Sequence, residues 1–314
     1  LTSKNAYALD GMFDEEQTRE FRKVGYFSVV VADVLDRLLW RVRPYEKQKG
    51  TGDAFIERAT RAMADAFEQY GARKDFERIL DRLSDIIREG KTLIDPGIPR
   101  KPLIGIVGEI YLRTHVQSNQ DVIRMLEKHG AEVVNASIAE WVNYTTYDRM
   151  REAKIGLRLS LKQLRVKEIR DFLKRMLSYG LDLTYQHYRQ DQVYERVKPF
   201  LDVAEDHRIG HLDRILGKEK IYSFDVGTEA CLSIPGILEY VHQGFNGVVN
   251  VYPFTCMPST ITSSIIRPIL NQKKVPYLDT PYDGSFQPGR EAAIRTFMYQ
   301  AQQHFKRHGR DGSA

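Results

Sequence analysis

Two cysteines and one acid–base pair are the residues here whose types and placement could do chemistry. Cys256 lies in the stretch 246–260. There a β-branched run of Val248, Val249 and Val251 predicts a short buried strand, ended by Pro253. Ser259 or Thr260 is the predicted cap of the next helix, which carries Ile261, Ile265, Ile266 and Ile269. Cys256 therefore falls between the end of a strand and the start of a helix, the edge at which open α/β sheets bind ligands. A helix N-terminus also favours a thiolate. The same residue reads equally as a small buried thiol. Cys231 follows Gly227-Thr-Glu-Ala and lies near a second predicted strand-to-helix junction, with residues 220–226 as the strand. Two thiols on neighbouring strand ends would have sulfurs within about 10 Å, two strand spacings. Their spacing matches neither a zinc ribbon nor a ferredoxin run.

Glu109 and Arg113 form the other candidate. They follow the apolar stretch that begins at Leu103, at the end of a predicted strand. An acid and a base four residues apart there could bind a ligand together, or simply form an ion pair. The eight histidines show no ligand spacing. Gly105-Ile-Val-Gly108 lacks the Gly-x-Gly-x-x-Gly spacing of a dinucleotide site.

The elements that must position these residues can be read in order. Residues 29–42 carry Val30, Val31, Val34, Leu35, Leu38, Leu39 and Val42 at helical spacing. Asp53 is placed to cap a second helix, and 74–90 reads as a third. Residues 95–102 hold three prolines in eight positions and read as an exposed linker. Residues 103–111 and 131–138 read as strands around a helix capped at Ser118 with Asp121. Strand, helix, strand with short joins implies parallel pairing. Helical text returns at 157–177 and 190–204, an insertion at about 141–205. A last strand at 275–278 and a helix at 290–304 close the chain, and 306–314 reads as a disordered polar tail. The division is a mainly helical region 1–94, a linker 95–102, α/β structure 103–305 and the tail. The fold class is α/β, with a Rossmann-like parallel sheet.

At 314 residues the chain is long enough for a sizeable core. Its 42% hydrophobic and 28% charged residues are those of a globular protein. The net charge of +5 is spread along the chain, and no nucleic-acid motif accompanies it. The densest basic segment, 162–174, alternates with Leu164, Val166, Ile169, Phe172 and Leu173 and reads as the solvated face of a helix. No run is long and apolar enough to span a membrane. Two cysteines and no leader point to a reducing, cytoplasmic compartment without a structural disulfide. A chain opening on Leu1 is expected to be a piece of something longer.

Several segments resemble one family. They are Val31-Ala-Asp-Val-Leu35 with Arg43-Pro-Tyr-Glu46; Val107-Gly-Glu-Ile-Tyr-Leu-Arg113 with Ser118-Asn119; Glu229-Ala-Cys-Leu-Ser-Ile234; Gly244-Phe-Asn-Gly-Val-Val-Asn250 with Pro253-Phe-Thr-Cys-Met-Pro258; and Tyr282-Asp-Gly284 with Phe297-Met-Tyr-Gln-Ala301. Together they resemble the 2-hydroxyacyl-CoA dehydratase D-component superfamily, in its branch related to acyl-CoA dehydratase activases and double-cubane cluster proteins. The Pro-Phe-Thr-Cys-Met-Pro element is the specific one. The resemblance implies Rossmann-like domains holding an iron–sulfur cluster, either 4Fe-4S or double-cubane. It also implies electron transfer from an ATP-hydrolysing activator, an acyl-CoA substrate and a homo-oligomer. It places Cys256 in the cluster loop and Cys231 beside it. The departure is ligand count: a cubane takes up to four thiolates, and this chain has two cysteines. The missing ligands would come from upstream or from a partner subunit, or this copy lacks a cluster and is a scaffold or regulatory domain.

Overall fold

Residues 15–310 are described in the computed structural model of this chain. In order they form α1 (Glu15–Val42), α2 (Thr51–Tyr70), α3 (Phe76–Thr92), β1 (Leu103–Gly108), α4 (Ile110–Thr114), α5 (Val122–Lys128) and β2 (Glu132–Asn135). Then follow α6 (Ile138–Lys162), α7 (Val166–Val197), α8 (Ile209–Glu219), α9 (Ala230–His242), β3 (Gly247–Pro253), α10 (Met257–Lys273), β4 (Tyr277–Tyr282) and α11 (Arg290–His308). No helix among the described residues is long and apolar enough to cross a membrane.

Contacts divide the chain into two compact units that interleave along the sequence. One comprises Leu1–Asp36, Asp53–Thr92 and Ser137–Glu205; the other comprises Arg37–Gly52, Leu93–Ala136 and Asp206–Ala314. These are not the successive regions 1–94 and 103–305: the helical insertion joins the N-terminal helices, and 37–52 joins the sheet.

The helical unit is built on α1, whose apolar spacing buries Phe27, Val30, Val31 and Val34. Phe27 meets the edge of Phe76 at 4.8 Å between centroids, a favoured aromatic geometry. Asp33, buried, accepts from the amides of Ile138 at 3.1 Å and Ala139 at 2.8 Å. Ser137 Oγ accepts from the Glu140 amide at 2.9 Å. Both satisfy first-turn donors of α6 that would otherwise lack partners. Helices α6 and α7 are longer than the sequence suggested and are joined through Leu164, whose φ is 56°.

The other unit is the Rossmann-like sheet. All four strands are parallel, in the order β2-β1-β3-β4. Side chains alternate between two buried faces. Ile104, Ile106, Val249 and Val251 pack with Leu126, Ile294 and Phe297 of α5 and α11. Burying each such side chain contributes about 1.5–3 kcal/mol. On the opposite face a Cβ at Gly105 would lie 2.4 Å from the Tyr240 ring, so that position admits no side chain where α9 packs.

Several local expectations are corrected. Residues 220–226 form no strand: Phe224–Val226 is a 3-10 turn, capped by Ser223 Oγ. Asp121, in left-handed conformation with φ 53°, caps α5, and Ser118 instead bonds the His115 ring at 2.7 Å. Helix α2 begins at Thr51, so Asp53 lies in its first turn. The terminal helix runs to His308, so 306–308 are not a disordered tail; residues 311–314 lie outside the described ones. The proline-rich segment is exposed at Pro96, Gly97, Pro99 and Arg100. It is strapped down where the Lys101 amide donates to Tyr45 Oη at 2.9 Å.

One buried acid organises this end of the sheet. Glu132 Oε2 accepts from Tyr45 Oη at 2.6 Å and pairs with Arg310, while Arg41 lies 3.7 Å away. Burial, and then the Glu132 charge, push the Tyr45 hydroxyl above its ordinary pKa. Glu132→Ala would leave two largely buried guanidinium groups without their carboxylate. It is expected to cost about 3–5 kcal/mol in urea unfolding, and Tyr45→Phe only about 1 kcal/mol.

Candidate functional site

The strand order creates a switch point. From β1 the chain leaves over one face, through α4 and α5, to β2; from β3 it leaves over the other face, through α10, to β4. Between the carboxyl ends of β1 and β3 the connections diverge, which is where such sheets form their ligand crevice. Gly108 ends β1 with φ +119°, and a Cβ there would lie 2.0 Å from the Val251 carbonyl oxygen. Only glycine allows that approach. It lets the Glu109 amide donate to Val251 O at 2.9 Å and aims the chain into α4.

Glu109 is the cap of α4: its Oε2 accepts from the Leu112 amide at 2.8 Å. Arg113, one turn on, is 5% exposed. Its backbone carbonyl accepts from Asn135 Nδ2 at 2.8 Å. The two side chains make no ion pair with each other, which removes that reading of the pair. Among the described residues nothing accepts from the Arg113 guanidinium, and its Nε is wholly enclosed.

Glu229 joins them, a residue the sequence reasoning quoted in a motif but did not single out. It occupies the cap position of α9 with its carboxyl against the Ile110 amide. Burial pushes this carboxyl above its ordinary pKa, and the Glu109 charge adds to the rise; Arg113 opposes both.

Cys256 sits as expected between strand and helix. It is itself the cap position of α10, ahead of Ser259 and Thr260, because Pro258 is already inside the first turn. Thr255, with φ 68°, turns the chain, and the Cys256 amide donates to Pro253 O at 2.9 Å. The thiol-bearing residue is half-buried between exposed Phe254 and Met257. Helix α10 is anchored by a network that sequence reasoning missed. Asp279 of β4 accepts from Ser263 Oγ at 2.6 Å, Tyr277 Oη at 2.8 Å, Asn250 Nδ2 at 3.0 Å and Arg267 Nη2 at 2.7 Å. Burial raises the Tyr277 hydroxyl far above its ordinary pKa, and Asp279 adds to this. The signal for it was alternation within β4, which puts Tyr277 and Asp279 on one face.

Cys231 is different. It lies in the first turn of α9, after the 3-10 turn rather than after a strand, and is fully buried. Its thiol donates to Gly227 O at 3.0 Å and approaches Phe224 O at 3.6 Å. The argument that placed both cysteines on strand ends therefore fails for this one. Among the described residues no three His, Cys, Asp or Glu side chains gather to hold a metal. A cubane needs up to four thiolates. One half-buried thiol and one tied to carbonyl oxygens do not fit it within this chain.

Comparisons of the chain with family models, with curated proteins and with solved structures gave no match. The reading of the site rests on its geometry and on the motifs above.

In the folded protein a thiol reagent is expected to modify Cys256 at once and Cys231 only after denaturation. Peptide mapping of alkylated protein checks this; equal labelling of both would show that the α9 turn does not shield its thiol.

Proposed function

We propose that this chain is the α/β module of a redox system related to the 2-hydroxyacyl-CoA dehydratases and their activases, working at the β1/β3 crevice. The observation that carries the proposal is the half-buried Cys256 at the carboxyl edge of the sheet, at the switch point, within the Pro-Phe-Thr-Cys-Met-Pro element. In this reading Cys256 supplies one thiolate to an iron–sulfur centre completed from outside these residues, by a second copy of the chain. An ATP-hydrolysing activator delivers the electron, an acyl-CoA is the substrate, and the setting is a reducing cytoplasm. Glu109 and Arg113 line the ligand crevice.

A second reading is a scaffold or regulatory domain without a cluster. The buried Cys231 thiol, already satisfied by carbonyl oxygens, favours it. Anaerobic reconstitution with ferrous iron and sulfide separates the two. The redox reading expects bound iron and absorbance at about 400 nm, where thiolate-ligated iron absorbs, lost in Cys256→Ser and kept in Cys231→Ala. A colourless wild-type protein leaves the scaffold.

A further inference from the structure

We infer that the crevice at the carboxyl end of β1 binds an oxyanion, a carboxylate or phosphate group, through the Arg113 guanidinium. The inference rests on the β1/β3 crevice being the ligand site, but not on iron or on Cys256.

The argument begins with what Arg113 lacks. A buried cation is costly unless paired and hydrogen-bonded. Other buried or partly buried arginines of the sheet unit have a carboxylate partner: Arg310 is bonded to Glu132, Arg41 lies 3.7 Å from it although its Nε is unbonded, Arg37 is paired with Asp206, and Arg43 Nε reaches Glu127 at 2.6 Å. Arg290 at least stacks on the Tyr282 ring, 3.8 Å from its centroid, and donates to Pro281 O at 2.9 Å. Arg113, 5% exposed, is buried like Arg37 and Arg290, yet none of its guanidinium N–H groups has an acceptor among the described residues. On its own helix Glu109 Oε2 is taken by the Leu112 amide, and no ion pair joins Glu109 to Arg113.

A planar fork of open donors matches the two oxygens of a carboxylate or phosphate. The surroundings supply further polar groups. Asn135, 2% exposed, donates through Nδ2 to the Arg113 carbonyl and fixes the turn that carries the guanidinium. Two acids bear on the site: Glu109 at the cap of α4, and Glu229 at the cap of α9, whose carboxyl feels the charges of both Glu109 and Arg113. They would repel an anion when charged. Glu229 is the one whose neutral form is favoured by burial, and a neutral carboxyl can donate to the bound oxyanion. Binding should accordingly strengthen as pH falls and Glu229 takes up its proton.

The test uses the full chain, with inorganic phosphate and acetate as separate probes and chloride as the ionic-strength control. Arginine Nε resonances are followed by NMR during titration. A saturable shift of the Arg113 resonance by phosphate or acetate, but not by chloride, is the expected result. Phosphate alone indicates a phosphate ester, and acetate alone a carboxylate. Arg113→Gln should abolish binding, and Arg113→Lys, which keeps the charge but loses the fork, should weaken it about tenfold. Glu229→Gln should tighten it and flatten its pH dependence, an effect that a purely structural Arg113 would not produce. Cys256→Ser should leave binding unchanged, so loss of the redox reading and loss of this one are separable. The inference is overturned if neither probe shifts the Arg113 resonance, if chloride acts equally, or if binding survives Arg113→Gln with the fold intact.

Discussion

The pairing of β1 with β3 is the constraint on which the site depends. In this register Ile104 lies beside Gly247 and Gly108 beside Val251, with no side chain possible at Gly108. That contact sends the chain out of β1 with the Glu109 amide already bonded to the neighbouring strand. Everything at the crevice follows from it: the start of α4, the placement of Arg113 one turn later, and the proximity of Glu229 to both. A side chain at Gly108 would separate the strands just where the connections diverge, and the crevice would lose its floor.

The sheet unit handles buried charge in two contrasting ways. Glu132 and Asp279 are acids saturated with donors, each tying separate elements together: Glu132 joins the turn at Tyr45 to Arg310, and Asp279 joins β3, β4 and α10. Such nodes hold geometry rigid. At Arg113 the balance is reversed, with donors present and acceptors absent. A buried group left without its bonds is the kind of position that a bound partner can complete.

Much of this could be read from residue order. The β-branched run 248–251 and the punctuation by Pro253 located β3 and the Cys256 turn, and the flanking prolines and glycines located β1, β2 and α9. Where local text was ambiguous the reading failed for identifiable reasons. Residues 220–226 alternate like a strand, but Ser223 caps a tight turn and Gly227 ends it, so short-range hydrogen bonds prevailed over the apolar pattern. Ser118 and Ser259 look like caps, yet Asp121 and Cys256 occupy those positions because neighbouring turns set the helix starts. The Glu132 and Asp279 networks, and Glu229 beside Arg113, join residues far apart in sequence, which no local pattern displays. The resembling segments around Asp33 and Tyr45 proved to be structural: one caps α6 and the other holds Glu132.

The interleaving of the two units along the chain has a consequence for how the protein comes into being. Residues 37–52 leave the ribosome early but pack with segments that end near Arg310. At ordinary elongation rates that interval is on the order of tens of seconds. The helical unit completes first, once Glu205 has emerged; β1 can pair with β2 early, but its other edge must wait for β3. Folding of the sheet is thus non-local and slow to nucleate. Until β3 arrives, β1, with its apolar Ile106 and Val107, keeps one edge open.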